Sequence, residues 1–103
     1  MDNKTDALNI AQKYAATLKN SFNFKKMILF GSYAKGTPRE DSDIDIAVVF
    51  SDYANRIDRQ VELMKLTRKI DSRIEPHPFR EREFEPSNPF VHEIMTHGTE
   101  VAF

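Results

Sequence analysis

Two aspartates, Asp43 and Asp45, stand two residues apart, ten residues beyond a Gly31-Ser32 pair. In an extended strand, residues two apart point to the same face. Asp43 and Asp45 would therefore project side by side, while Ile44 and Ile46 enter the core behind them. Carboxylates so placed repel each other, and one has its pKa raised unless a cation intervenes. A hard divalent ion relieves the repulsion: magnesium takes oxygen ligands, keeps waters, and binds through one or two carboxylates plus substrate phosphates. Two such ions, about 3.5–4 Å apart, can serve both the attacking and the leaving oxygen in phosphoryl transfer. Taken alone, an Asp-x-Asp pair is most simply a solvated pair of acids, and Gly31-Ser32 an ordinary turn with a helix cap. Together they suggest more. A glycine at a strand end lets backbone approach a ligand closely, and a serine opening a helix offers its hydroxyl and nearby N–H groups to a phosphate. Lys35, one turn on, adds a positive charge for the phosphate tail. The arrangement is not a P-loop, because no Gly-x-x-x-x-Gly-Lys-[Ser/Thr] run occurs.

The elements that must position these residues are legible from periodicity. Residues 3–20 read as an amphipathic helix, with Leu8, Ala11, Ala15 and Leu18 at helical spacing. Lys26–Phe30 is a short apolar run that fits a strand covered on both faces. Gly31 ends it, Ser32–Lys35 begin a short helix, and Gly36 closes that helix. Residues 37–42 form a polar loop containing Pro38, and Asp43–Phe50 reads as the second strand. Asn55–Ile70 is the next long helix, with one apolar row at Ile57, Val61 and Met64 and an adjacent row at Leu63, Leu66 and Ile70. Arg73–Phe79 reads as a third strand, placed at a sheet edge by Pro76 and Pro78. Asn88–His97 is a C-terminal helix stopped by Gly98, and Glu100–Phe103 a last short strand. Phe84, Phe90, Val91, Ile94 and Met95 are core or interface residues, and Arg80-Glu81-Arg82-Glu83 is most simply a solvated segment. This order predicts an α/β (α+β) domain with a small, partly parallel sheet flanked by helices, and a ligand site at the carboxyl end of the first strand.

The 103 residues fit one domain, 1–103, with 40% hydrophobic content and eight Phe for a modest core. A chain this small gains from a partner or a homo-oligomer. The absence of cysteine excludes disulfides and cysteine-based zinc sites. No stretch is long and apolar enough to span a bilayer, and the N-terminus has no apolar signal core, so a cytoplasmic location is expected. A net charge of −1 gives no basic excess, and direct nucleic-acid binding is not expected.

Gly31-Ser32, ten residues, then Asp43-Ile44-Asp45 is similar to the Gly-Ser-x10-Asp-x-Asp signature of the DNA polymerase beta nucleotidyltransferase superfamily. The fuller text, Phe30-Gly31-Ser32-Tyr33-Ala34-Lys35-Gly36 and Asp41-Ser42-Asp43-Ile44-Asp45, resembles its minimal nucleotidyltransferase branch, whose members are commonly antitoxins paired with a HEPN-domain toxin. The resemblance implies an ATP-dependent (or other nucleoside triphosphate-dependent) transferase with two magnesium ions, held by Asp43 and Asp45. Gly31, Ser32 and Lys35 would bind the nucleotide. It also implies a third acid on a later strand, and Glu75 is the candidate for catalysis and metal binding; Asp71, expected at a helix end, is the rival. His77 shares the strand face of Glu75 and would line the site as a polar or base-contacting group. Lys35 departs from the arginine common in the family, keeping the charge without the bidentate fork. After Glu75 only a short tail follows, so a partner protein is expected to supply the acceptor, by resemblance a tyrosine of a HEPN toxin receiving AMP. The other readings are a catalytically weak or inactive module that neutralises a toxin by contact, and a free-standing transferase acting on a small molecule such as an antibiotic.

Overall fold

The computed structural model describes residues 3–103. Its elements are α1 (Asn3–Leu18), β1 (Lys26–Phe30), α2 (Ser32–Lys35), β2 (Ile44–Phe50), α3 (Arg56–Thr67), β3 (Ile74–Arg80), a 3-10 turn (Glu81–Glu83), α4 (Pro89–His97) and β4 (Thr99–Glu100). The strands form one mixed sheet in the order β3-β2-β1-β4. β1 runs antiparallel to both β2 and β4, whereas β2 and β3 are parallel. Among the described residues no helix is long and apolar enough to cross a membrane.

Strand alternation sorts the apolar residues to two faces. Met27, Leu29, Ile44, Ile46, Val48, Phe50 and Ile74 bury one face against α1, α2 and α3. Ile28, Phe30, Ala47, Val49 and Phe79 bury the other against Val91 and Ile94 of α4. Asp45, between Ile44 and Ile46 of β2, and Glu75, next to Ile74 of β3, lie on this second face.

β3 is an edge strand, as its two prolines require, since neither can donate to a ladder. Pro76 and Pro78 leave no orphan N–H there, and their carbonyls accept from Gln60 Nε2 (3.0 Å) and the Tyr53 hydroxyl (3.2 Å). The edge is closed by side chains rather than by another strand.

α3 starts on Asn55, whose side chain accepts from the Asp58 N–H at 3.1 Å. It ends at Thr67, three residues before the end expected from periodicity. The Thr67 hydroxyl bonds back to the Met64 carbonyl, and the Thr67 carbonyl accepts from the N–H groups of both Ile70 and Asp71, which turns the chain toward β3. Only one of its two apolar rows reaches the core: Leu63 is fully buried, with Leu66 and Ile70 packed beside it. Ile57, Val61 and Met64 remain 74%, 48% and 41% exposed. Similarly, α4 buries Val91 and Ile94 but leaves Phe90 and Met95 at 41% and 50% exposure.

At the C-terminus β4 is two residues long, not four. Val101 donates one further bond to the Met27 carbonyl, after which Phe103 leaves the sheet and packs against the Phe24 ring. Arg80 is not a solvated residue: its guanidinium ties β3 to the loop after β2 through Asp52 (2.9 Å) and the Tyr53 carbonyl (3.0 Å).

Candidate active site

The β1–α2 turn is built around Gly31, which has φ 78° and ψ −156°. That φ lies in the left-handed region where a Cβ is strained. Space imposes the same choice, because a Cβ at Gly31 would collide with Oδ2 of Asp45. The turn and the acidic strand therefore touch. α2 closes on Gly36, also at positive φ (77°), whose N–H bonds to the Tyr33 carbonyl while Thr37 reaches back to the Ser32 carbonyl. Its Tyr33 is buried, and Arg73 donates to the Tyr33 hydroxyl at 3.0 Å, so the ring is a packing element rather than a free stacking surface.

Asp45 pairs with Phe30 across β1–β2 and with Glu75 across the parallel β2–β3 ladder. Asp43 lies just before β2 and is exposed, while Asp45 and Glu75 are half-buried. The Glu75 carboxyl is held above the ordinary carboxylate range. Its hydrogen bond with Asp43 is the main cause, followed by burial; the charges of Asp45 and Asp43 add to the rise and His77 opposes it. Three acids thus crowd one place, and the crowding favours the protonated form of Glu75 over its charged form. An oxygen-rich set in that condition fits a divalent cation, which would take the proton's place. Asp43, Asp45 and Glu75 are the residues that would hold it.

His77 joins them. Its Nε2 lies 3.2 Å from Oδ1 of Asp45, and its ring meets Phe30 edge-on at 5.1 Å. Asp45, Glu75 and His77 each offer one ligand atom, all within 4.8 Å of one another.

Of the residues singled out in the sequence, Gly31, Asp43, Asp45 and Glu75 converge, and Ser32 opens α2 directly after Gly31. Asp71 stands apart: Arg73 grips it through Oδ1 (3.0 Å) and Oδ2 (2.9 Å) and holds its carboxyl below the usual range. Lys35 is exposed and forms an ion pair with Glu93 of α4, its Nζ 2.8 Å from Oε1. Glu93 and Phe90 are neighbours that periodicity did not single out for the site. The apolar pattern of α4 shows which side it buries, but not that its N-terminal half lies beside Phe30 and His77.

Residues 12–102 match the family polymerase beta, nucleotidyltransferase. Protein adenylyltransferase MntA of Shewanella oneidensis is 34% identical over 73 residues, which is 71% of this chain and 50% of that protein. The chain spans about half the length of the curated relatives it matches. A solved toxin–antitoxin complex with AMP-PNP contains a chain that superposes with a TM-score of 0.67 at 29% identity, over 90% of this chain and 70% of that one. A tri-AMPylated Shewanella oneidensis HEPN toxin in complex with an MNT antitoxin gives a TM-score of 0.60 at 26% identity, over 94% and 70% of the two chains.

Proposed function

Because this chain belongs to the polymerase beta nucleotidyltransferase family, we propose that it transfers AMP from ATP to a hydroxyl of a partner protein and acts as the antitoxin of a HEPN-type toxin. The contact between Gly31 and Asp45 is the observation that carries this reading, because it joins a phosphate-side turn to a carboxylate cluster. The relative named as a protein adenylyltransferase and the structural neighbour holding an AMPylated toxin support the acceptor class.

In this reading Ser32 and the backbone at Gly31 hold the outer phosphates, with Lys35 assisting. Asp43, Asp45 and Glu75 are the residues that would hold magnesium beside the triphosphate. Magnesium, when bound, neutralises the triphosphate and makes the attacking hydroxyl more acidic. The acceptor oxygen attacks the α-phosphorus, the bond from that phosphorus to the pyrophosphate oxygen breaks, and pyrophosphate leaves. The acceptor's proton passes to a site carboxylate and then to solvent. Most of the acceleration comes from positioning and charge neutralisation. The chain's work would take place in the cytoplasm, where ATP and magnesium are supplied.

The test is to incubate the chain with its partner, magnesium and ATP labelled on the α-phosphate. Label on the partner is expected, with pyrophosphate released. A tight complex that forms without label transfer, and that Asp43→Asn and Asp45→Asn leave intact, would instead make the chain a binding module. Label transferred to a small molecule without any partner would overturn the acceptor assignment.

A further inference from the structure

The geometry points to His77 as a metal ligand. With Asp45 and Glu75 it forms a mixed oxygen–nitrogen site that prefers a divalent transition ion such as Mn2+ over Mg2+. The inference rests on the reading of Asp45 and Glu75 as metal carboxylates and adds the identity of the metal.

Period-two alternation puts Glu75 and His77 on one face of β3, the face that Asp45 and Phe30 also occupy. The ladder sets Ala47, not Asp45, opposite His77. That small side chain leaves room for the imidazole to lean back along the strand, which brings Nε2 to 3.2 Å from Oδ1 of Asp45. Ligands about 2.0–2.2 Å from a common ion, at tetrahedral to octahedral angles, lie about 3.0–3.5 Å from each other. The observed separation falls within that range, and the Glu75 oxygen completes a three-atom group within 4.8 Å. The ring is also fixed, meeting Phe30 at 5.1 Å and Phe90 at 6.1 Å, both edge-on. A nitrogen donor held in this way matters for selectivity. Magnesium favours an all-oxygen shell, whereas imidazole suits the first-row transition ions. Asp43 lies outside this triad and is exposed. The site would thus contain an all-oxygen position beside a two-carboxylate, one-imidazole position.

The test uses metal alone, without nucleotide. Mn2+ is titrated into the full chain and followed by electron paramagnetic resonance with spin-echo modulation, and Mg2+ is titrated by competition. Native chain should bind Mn2+ at least about tenfold more tightly than Mg2+ and show nitrogen-14 modulation from a coordinated imidazole. His77→Gln should abolish the modulation and weaken Mn2+ by about tenfold, with Mg2+ changed less than about twofold. Bound Mn2+ without nitrogen modulation in the native chain overturns the inference by itself, without reliance on the variant's folding. Equal weakening of both ions by His77→Gln does so as well and would leave His77 a positioning residue for Asp45. Magnesium-supported AMP transfer by the native chain is measured in parallel. Transfer without nitrogen modulation sinks this inference alone, and modulation without transfer sinks the proposed function alone.

Discussion

Oδ2 of Asp45 occupies the space in which a side chain on Gly31 would begin. The turn after β1 and the start of β2 are therefore packed against each other at the one residue type that permits it, with φ at 78° as a second constraint. Gly31→Ala meets both obstacles. It is expected to destabilise the chain by about 2–4 kcal/mol, read as a fall in urea midpoint. Binding of a non-hydrolysable ATP analogue should be lost even in the fraction that folds.

Asp45→Asn keeps the shape and an acceptor for His77 but removes a charge from the cluster. AMP transfer to the partner should fall by about a hundredfold or more, with little change in melting temperature. Asp43→Asn is expected to do the same, since Asp43 is exposed and buries nothing. Labelled ATP measures the first quantity and a thermal melt the second.

Glu75 makes stability depend on pH. Its carboxyl titrates above the ordinary value of 4.5, chiefly through its hydrogen bond with Asp43. A carboxyl whose folded pKa exceeds its unfolded one binds its proton more tightly in the native state. Its contribution is complete below pH 4.5 and is lost as pH rises through the folded value. Glu75→Gln should flatten that decline and raise the melting temperature of the cation-free chain at pH 7. The same substitution should remove the stabilisation that magnesium with ATP confers on the native chain. Melts across pH 4.5–8, with and without magnesium and ATP, check both outcomes.

Lys35 is committed to Glu93 before any phosphate arrives. If Lys35 serves the triphosphate, Glu93 competes for it. Glu93→Gln should tighten binding of an ATP analogue by about two- to fivefold, and Lys35→Ala should weaken it by a similar factor or more, both effects shrinking in high salt. Calorimetric titration of the two variants decides whether Lys35 faces the nucleotide at all.

The Tyr14 hydroxyl donates to the Leu63 carbonyl at 2.8 Å inside the core and ties α1 to α3. Burial pushes this phenol well above its usual pKa, so it stays a donor across the working pH range. Tyr14→Phe is expected to cost about 1–2 kcal/mol by urea unfolding, and to leave ATP-analogue binding unchanged because Tyr14 lies on the opposite sheet face from the acids.

Local order in the chain determined half of the candidate site. Gly31 and Asp45 lie fourteen residues apart on strands that return antiparallel through a short helix and a loop. The spacing alone brings them together, because a strand, a turn and a returning strand have few ways to close. The same holds for the Ile44 and Ile46 faces, which follow from alternation. The tertiary structure decided what depended on register and packing between distant segments. Glu75 reaches Asp43 and Asp45 only because β3 joins β2 in parallel, in the one phase that pairs residues 45 and 75; a slip of one residue would turn Glu75 to the other face. That Ile57, Val61 and Met64 stay exposed while Leu63 is buried depends on how α3 is rotated against α1 and β3, and an amphipathic pattern with two adjacent rows leaves that rotation open. The meeting of Lys35 with Glu93, and of His77 with Asp45, is set by which sheet face α4 covers and by the room above Ala47. Those contacts join segments that carry no mark of each other in their own sequences.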